Sequence, residues 1–415
     1  MVISDFLHLV GKRVYIETYG CRYNFGDTSK LQGILKYQGC TLVQSDEDAE
    51  AVIINTCTVV AATERRMLRR MSRFRDHDLY VTGCMSVVQR EAILAVCTPK
   101  FISPGSVHEK YCSLGTVSSC PSGIIQIAQG CFGHCSYCIA RVARGPLKSF
   151  PEQEILERIR ASVTSGAAEI QLTAQDVSAY GQDTGTSLAQ LLNGIDEVPG
   201  TYFVRVGMMN PVSVIKILDD LIDAFAIKKI FRFIHVPVQS GSDRILEGMG
   251  REYTCEDFEF IIAAFRKKYP EITVATDMIV GFPGETEEDF LKSLELLDRV
   301  RPDKVNVTRF SKRPHTCDFS VKEVPESIKK ARSRIMNARS EQIYHTKNGA
   351  FIGRAVPFIV TERIRTGSVM ARTPSYVGVV LNEDLPIGFT GHAVIGKEHT
   401  YFFSGEYRVD RTGDR

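Results

Sequence analysis

The chain of 415 residues is 44% hydrophobic and 24% charged, a globular composition long enough for two or three domains rather than one core. A net charge of +2 excludes a globally basic nucleic-acid binder, so any such contact must come from local patches. No apolar run reaches the ~18 residues of a membrane span, MVISDFLHLVGKRVY carries no signal-peptide pattern, and 12 cysteines in so long a chain point to a reducing, cytoplasmic setting with metal or catalytic roles.

Residues 13–118 alternate strand and helix patterns. RVYIETYG, AVIINTC and LYVTGC read as strands, and DTSKLQGILKYQG and ATERRMLRRMSRF as helices, which predicts a parallel α/β sheet. Function in such sheets gathers at the carboxyl ends of the strands. Each of these three strands ends in a cysteine: Cys21, Cys57 and Cys84. One such cysteine would be an ordinary small buried residue. Three on one sheet edge point to a metal or cluster site.

On the helix over 63–75, Arg65, Arg66, Arg69, Arg70 and Arg73 fall on one face, with Met67, Leu68, Met71 and Phe74 on the other. A charge run is usually a solvated face, but five arginines beside only Glu64 would repel one another without an anion. Lys329, Lys330, Arg332, Arg334 and Arg339 form a second basic run. Phosphate contacts of this kind position RNA without reading its sequence.

From about 124 to 325 the alternation resumes at a longer period. The strands GIIQIAQG, EIQLTAQD, YFVRVGM, FRFIHVPVQ, ITVATDMIVGF and KVNVTRF, with helices such as PEQEILERIRASVTSG and EEDFLKSLELLDRV, predict a partial (β/α)6 barrel. A barrel of this kind carries its site at the carboxyl-terminal face. After the first strand comes GCFGHCSYC, with Cys131, Cys135 and Cys138 spaced C-x3-C-x2-C and Tyr137 just before the third. Three thiolates can hold three irons of a [4Fe–4S] cubane and leave the fourth iron open to a small molecule. An open position distinguishes a catalytic metal site from a structural one. The rival is a zinc site completed by Cys120 or His134, but zinc favours closed sets of four, usually from two short pairs, and there is no second C-x2-C.

Polar residues on or at the ends of the barrel strands, Gln175, Asp176, Arg205, Gln239 and Asp277, are candidate cofactor ligands, each with the alternative of a purely structural role. The remaining cysteines, Cys40, Cys97, Cys112, Cys120, Cys255 and Cys317, share no pattern and read as packing residues. From about 345 onward AVPFIVTERI, SVMARTPSYVGVVL and GFTGHAVIGKEHTYFFSGEY alternate in short runs between glycine turns, predicting a small antiparallel barrel.

The cysteine loop resembles the signature of radical S-adenosylmethionine (SAM) enzymes. With ETYGCRYN, INTCTV and TGC before it, and HVPVQSGSDRIL and TDMIVGFPGETEEDF after it, the chain resembles the methylthiotransferases over nearly its whole length. The last domain, with Arg372-Thr373-Pro374 and Tyr376, resembles the RNA-binding TRAM module. AYGQDTGT and RVGMMNP resemble the archaeal and eukaryotic branch that modifies threonylcarbamoyladenosine in tRNA.

The resemblance implies a methylthiotransferase domain over 1–118, a radical SAM domain over 119–344 and a TRAM-like domain over 345–415. It implies two [4Fe–4S] clusters, on Cys131, Cys135 and Cys138 and on Cys21, Cys57 and Cys84. One SAM would methylate a sulfur at the second cluster. Another, beside Tyr137, would give the 5′-deoxyadenosyl radical that opens C2 of adenine. Arg205 or Arg144 would meet the threonylcarbamoyl carboxylate, and Arg372 and Tyr376 would join the arginine helix on RNA. The implied partners are tRNA, a sulfur donor and an electron donor such as a ferredoxin or flavodoxin, with no membrane. The rivals are a relative acting on isopentenyladenosine tRNA or a ribosomal-protein side chain, and a cluster-bearing RNA-binding sensor without catalysis. Three cysteines per cluster argue against the sensor, since an open iron invites a ligand.

Overall fold

The computed structural model describes residues 4–114, 123–317 and 319–408; Cys120 lies outside these residues. Five parallel strands form the first sheet: β1 (Arg13–Thr18), β2 (Thr41–Leu42), β3 (Ala51–Thr56), β4 (Asp78–Gly83) and β5 (Lys100–Phe101), ordered β2-β1-β3-β4-β5. Every residue of the central β3 is buried, as a continuous apolar run requires in a sheet covered on both faces. Alternation divides the sheet between two cores. Ile53 packs with Leu31, Ile34 and Leu35 of α1 (Arg22–Tyr37), while Val52 and Ile54 pack with Met67 and Met71 of α2 (Ala61–Met71).

The central unit begins with β6 (Ile124–Gln126). GIIQIAQG does not run on as one strand: β7 (Ala128–Gln129) breaks away to pair antiparallel with β8 (Lys148–Ser149). β6, β9 (Glu169–Thr173) and β10 (Phe203–Arg205) form one parallel sheet, and β11 (Phe233–His235), β12 (Thr273–Val280) and β13 (Lys304–Arg309) a second. A parallel bridge between Met208 and His235 joins them, giving six strands in chain order that stay open at β13. Ile170, Leu172, Val204, Ile234, Val274 and Val305 point outward into the large helix-covered core. Their alternates, including Glu169, Gln171, Arg205, His235, Asp277, Lys304 and Asn306, therefore line the concave face.

The helix Glu326–Asn348 leads into a closed barrel of β14 (Ala355–Arg365), β15 (Ser368–Arg372), β16 (Gly378–Leu381), β17 (Thr390–His399) and β18 (Phe402–Arg408), ordered β14-β15-β16-β18-β17. SVMARTPSYVGVVL breaks into two strands around Pro374 and Tyr376, which sits in the left-handed region at φ 63°. The barrel is not wholly antiparallel, because β16 and β18 pair in parallel. Cys40, Cys97 and Cys255 are buried packing residues, whereas Cys112 and Cys317 are exposed and are not. Among the described residues no helix is long and apolar enough to cross a membrane.

Candidate active site

Cys21, Cys57 and Cys84 hang from β1, β3 and β4, three adjacent strands of the first sheet. Gly20 brings the first two together. It lies at φ +102°, and a Cβ there would fall 2.5 Å from Cys57 Cβ and 2.8 Å from its Sγ, so only glycine allows the approach. Cys57 and Cys84 are buried and Cys21 is exposed, which leaves the triad open on one side. Burial pushes the Cys57 thiol up to about 11 and raises Cys84 as well. Asn24 fixes the strand ends: its Nδ2 donates to Tyr19 O and Thr56 O, each at 2.8 Å.

Cys131, Cys135 and Cys138 occupy the loop between β7 and the helix Ile139–Arg144. Gly130 starts this loop at φ +81°, where a Cβ would collide with Pro146 O. Gln175 Oε1 accepts from Gly130 N at 2.7 Å, and Ser136 is tied to Met249 O and Gly248 O at 2.9 and 3.0 Å. Gly133 N donates to Cys131 Sγ at 3.2 Å, a hydrogen bond of the kind that favours thiolate. Burial drives the Cys131 thiol up to about 11 and raises Cys135, so a positive metal centre is what this loop needs to hold thiolates.

The thiols of each triad stand wider apart than a single zinc ion would draw them. Tetrahedral zinc with Zn–S of about 2.3 Å would draw its sulfurs to roughly 3.8 Å of one another. Among the described residues, only His108, Cys112 and Glu154 bring three such ligand atoms within 4.8 Å of one another, so neither cysteine triad is that tight. The two triads are neighbours. Cys138 caps the six-residue helix Ile139–Arg144, about 9 Å long, and Ile139 and Ala143 of that helix pack against Cys84. At its far end Arg144 is buried, its guanidinium 2.7 Å from Asp27 and 2.8 Å from Asn24 Oδ1, stacked 4.7 Å over the Tyr23 ring. That removes Arg144 as a free partner for a substrate carboxylate.

The strand-end residues divide by environment. Asp176 is consumed structurally: one oxygen accepts from Ser178 N, Ser178 Oγ and Asn210 N, the other from Ser213 Oγ at 2.7 Å. It is an anchor for the loops after β9 and β10, not an open ligand. Gln175 supports the cysteine loop. Gln239 sits at φ 72°, a left-handed conformation that is costly for this residue and gathers at functional sites. Asp277, on the concave face, accepts from His235 Nε2 at 2.9 Å and Asn306 Nδ2 at 2.7 Å; burial would raise its carboxyl, but those bonds hold it below the usual range. Tyr137 packs edge-on to Phe282, and its hydroxyl accepts from the half-buried Arg251 guanidinium. Arg251, His235 and Asn306 were not evident in the sequence, because nothing local marks them.

The arginine helix is partly as expected. Arg65, Arg66, Arg69 and Arg73 are exposed, and Arg66, Arg69, Arg70 and Arg73 line a cavity of about 680 Å³ with Glu17, Thr18 and Tyr19. Arg70 is not free, however, since it pairs with Glu17 at 2.7 Å and Asp46 at 3.2 Å. The second basic run is largely spent inside: Lys329 and Arg332 are buried, Arg332 pairing with Glu285 at 2.5 Å and Glu287 at 3.0 Å, and Arg339 reaches Asp298 at 3.5 Å. Arg372 and Tyr376 lie at the junction of the small barrel with the concave sheet rather than on an outward face: the Tyr376 hydroxyl donates to Glu169 at 2.7 Å, and Arg372 stacks 4.6 Å over the Tyr376 ring.

Residues 13–101 match the family described as "Uncharacterized protein family UPF0004", and residues 125–297 match the radical SAM superfamily. The chain is 39% identical, over 89% of its length and 94% of the relative's, to a probable threonylcarbamoyladenosine tRNA methylthiotransferase of Pyrococcus horikoshii. A second relative of that description, from Methanothermobacter thermautotrophicus, is 36% identical over 95% of this chain and 99% of its own. A Danio rerio threonylcarbamoyladenosine tRNA methylthiotransferase is 33% identical over 79% and 66%. In fold, the chain is similar to the radical SAM methyltransferase TsrM of Kitasatospora setae, with a TM-score of 0.52 at 12% identity over 73% of this chain and 76% of that one.

Proposed function

Because the chain belongs to the threonylcarbamoyladenosine tRNA methylthiotransferase family, we propose that it inserts a methylthio group at C2 of N6-threonylcarbamoyladenosine, at position 37 beside the anticodon of tRNA. The observation that carries this reading is the pair of three-cysteine sites set at the two sides of one six-residue helix. Two such neighbouring sites suit a reaction in which one centre makes a radical and the other presents sulfur.

Cys131, Cys135 and Cys138 would hold one [4Fe–4S] cluster, and Cys21, Cys57 and Cys84 the other. When bound, these clusters and SAM supply the 5′-deoxyadenosyl radical and the methylated sulfur. The chain itself supplies placement. Tyr137, fixed by Arg251, walls the first site. Asn24 and Gly20 set the thiols of the second. Arg66, Arg69 and Arg73 offer phosphate contacts to tRNA. The limits 1–118, 119–344 and 345–415 for the three domains, a cytoplasmic location, a sulfur donor, and a ferredoxin- or flavodoxin-like reductant belong to the same reading.

The test is nucleoside mass spectrometry after incubating anaerobically reconstituted protein with SAM, a reductant and tRNA. The expected product is the 2-methylthio derivative from threonylcarbamoyl tRNA alone. Equal modification of unmodified or isopentenylated tRNA, or of ribosomal protein, would overturn the substrate assignment.

A further inference from the structure

The concave face of the central sheet carries cations that the machinery above does not use. Arg205 ends β10, and its guanidinium stacks 4.9 Å over Phe233 and 5.4 Å over Tyr376. Arg372, from the small barrel, stacks on the other partner of that sandwich, 4.6 Å from the Tyr376 ring. Lys304 begins β13, three strands along from β10, in register with Ala275 of β12 and thus on the same face. It is close enough to Arg205 and Arg372 that, after burial, their repulsion is what lowers its ammonium pKa most; Arg22 of α1 adds to it.

Among the described residues, Arg205, Arg372 and Lys304 form no ion pair, and the buried Nε atoms of Arg205 and Arg372 have no hydrogen-bond partner. The acids of the same face are already engaged. Glu169 accepts from Tyr376 and from Gln171 Nε2 at 2.7 Å, and Asp277 accepts from His235 and Asn306. Three cations facing two committed carboxylates leave a local excess of positive charge on a partly closed surface. Such charge is costly unless an anion arrives.

Which anion it is follows from where the cations lie. They sit at the amino-terminal end of the concave face, with Tyr376 of the small barrel as its floor, and the cysteine loop follows β7 at the other end. In the proposed substrate, C6 and C2 flank N1 and their outward bonds diverge, so a long group on N6 can extend past the edge that bears the reacting atom. With C2 directed toward the cysteine sites, the threonyl carboxylate reaches down the face toward Arg205.

We infer that Arg205, Lys304 and Arg372, walled by Phe233 and Tyr376, form the receptor for the carboxylate of the N6 substituent. The small C-terminal barrel thus reads the modified base as well as any RNA backbone. The inference rests on the substrate reading above and names the side chains that carry its specificity. Lys304 and Asn306 lie on the open edge at β13, each with part of its side chain at the surface even though Lys304 is crowded by the cluster, and this gives the base a way in.

The experiment uses two synthetic anticodon stem-loops, one carrying threonylcarbamoyladenosine and one its neutral methylamide, with the reconstituted full chain. Wild type should turn over the acid form about 100-fold better in kcat/KM, the order expected when buried donors are left unpaired. Lys304→Gln and, separately, Arg205→Gln should cut that preference about tenfold, and Lys304→Arg should restore most of it. Iron content and cluster absorbance report on folding in each variant. Equal turnover of acid and methylamide by wild type overturns the receptor while leaving the methylthiolation assignment intact. Absence of methylthio product from the acid form overturns the substrate reading itself. Equal loss of affinity for both stem-loops in Lys304→Gln, with a flatter salt dependence, would assign the cations to a backbone phosphate and overturn the proposal.

Discussion

At the residue scale, single atoms decide whether three thiols converge. Gly20 is the sharpest case, because its φ of +102° disfavours any side chain and the space a Cβ needs is held by Cys57. Gly20→Ala must move either the β1 turn or Cys57. Reconstituted wild type should carry about eight irons and this variant about four, with the deficit confined to the Cys21 site; iron and sulfide assays read the difference. The cysteines and their glycine turns were legible in the sequence because strand-end position is a local property. Asp176 and Arg144 were not. Their partners, Ser213 and Asp27, come from other elements, and no local pattern announces that a carboxylate is saturated or a guanidinium already paired.

At the element scale, α2 shows how a basic helix can be both structural and free. Its apolar stripe, Met67 and Met71, seals one core, and Arg70 is tied down by two carboxylates. Arg66, Arg69 and Arg73 remain on the cavity wall. Replacing those three with Ala should weaken tRNA binding and lower the salt slope by up to about 0.9 for each phosphate that is no longer neutralised. Arg70→Ala should behave differently, lowering the melting temperature because Glu17 and Asp46 lose their partner, with a smaller effect on the slope. Affinity titrations at several salt concentrations, beside thermal melts, separate the two classes. The helix pattern was evident from its period of 3.6, yet the basic run at 329–339 gave no sign that Lys329 and Arg332 point inward from the helix Glu326–Asn348. Charged residues on a helix read as solvent-facing until a buried acid such as Glu285 is placed against them.

At the scale of the whole molecule, the order of the units was readable from alternating strands and helices followed by short β runs, but the joints were not. The joint that matters most for two cooperating sites is the segment after β13. There Arg313 is buried and pairs with Glu64 of α2, with Thr58 Oγ1 at 3.3 Å and Gln89 Oε1 at 3.4 Å, while His315 Nε2 meets Val88 O at 3.1 Å and Cys317 N donates to Ser136 O at 3.0 Å. One segment therefore touches the first unit and the cysteine loop together. Removing one partner of a buried pair leaves the other charge unsatisfied, at a cost of about 3–5 kcal/mol. Arg313→Met should accordingly split thermal unfolding, with the first unit melting earlier than the barrel. Arg313→Met combined with Glu64→Gln should recover part of that stability, and the double-mutant cycle gives the coupling. The functional consequence is specific to a two-site enzyme. Each site keeps its own residues, so SAM cleavage continues while the sulfur site drifts from the radical. The yield of methylthio product per 5′-deoxyadenosine should then fall by an order of magnitude or more, as expected for misplacement of about 1 Å. An unchanged yield from a destabilised Arg313→Met would show that the two sites are held together by the helix Ile139–Arg144 alone.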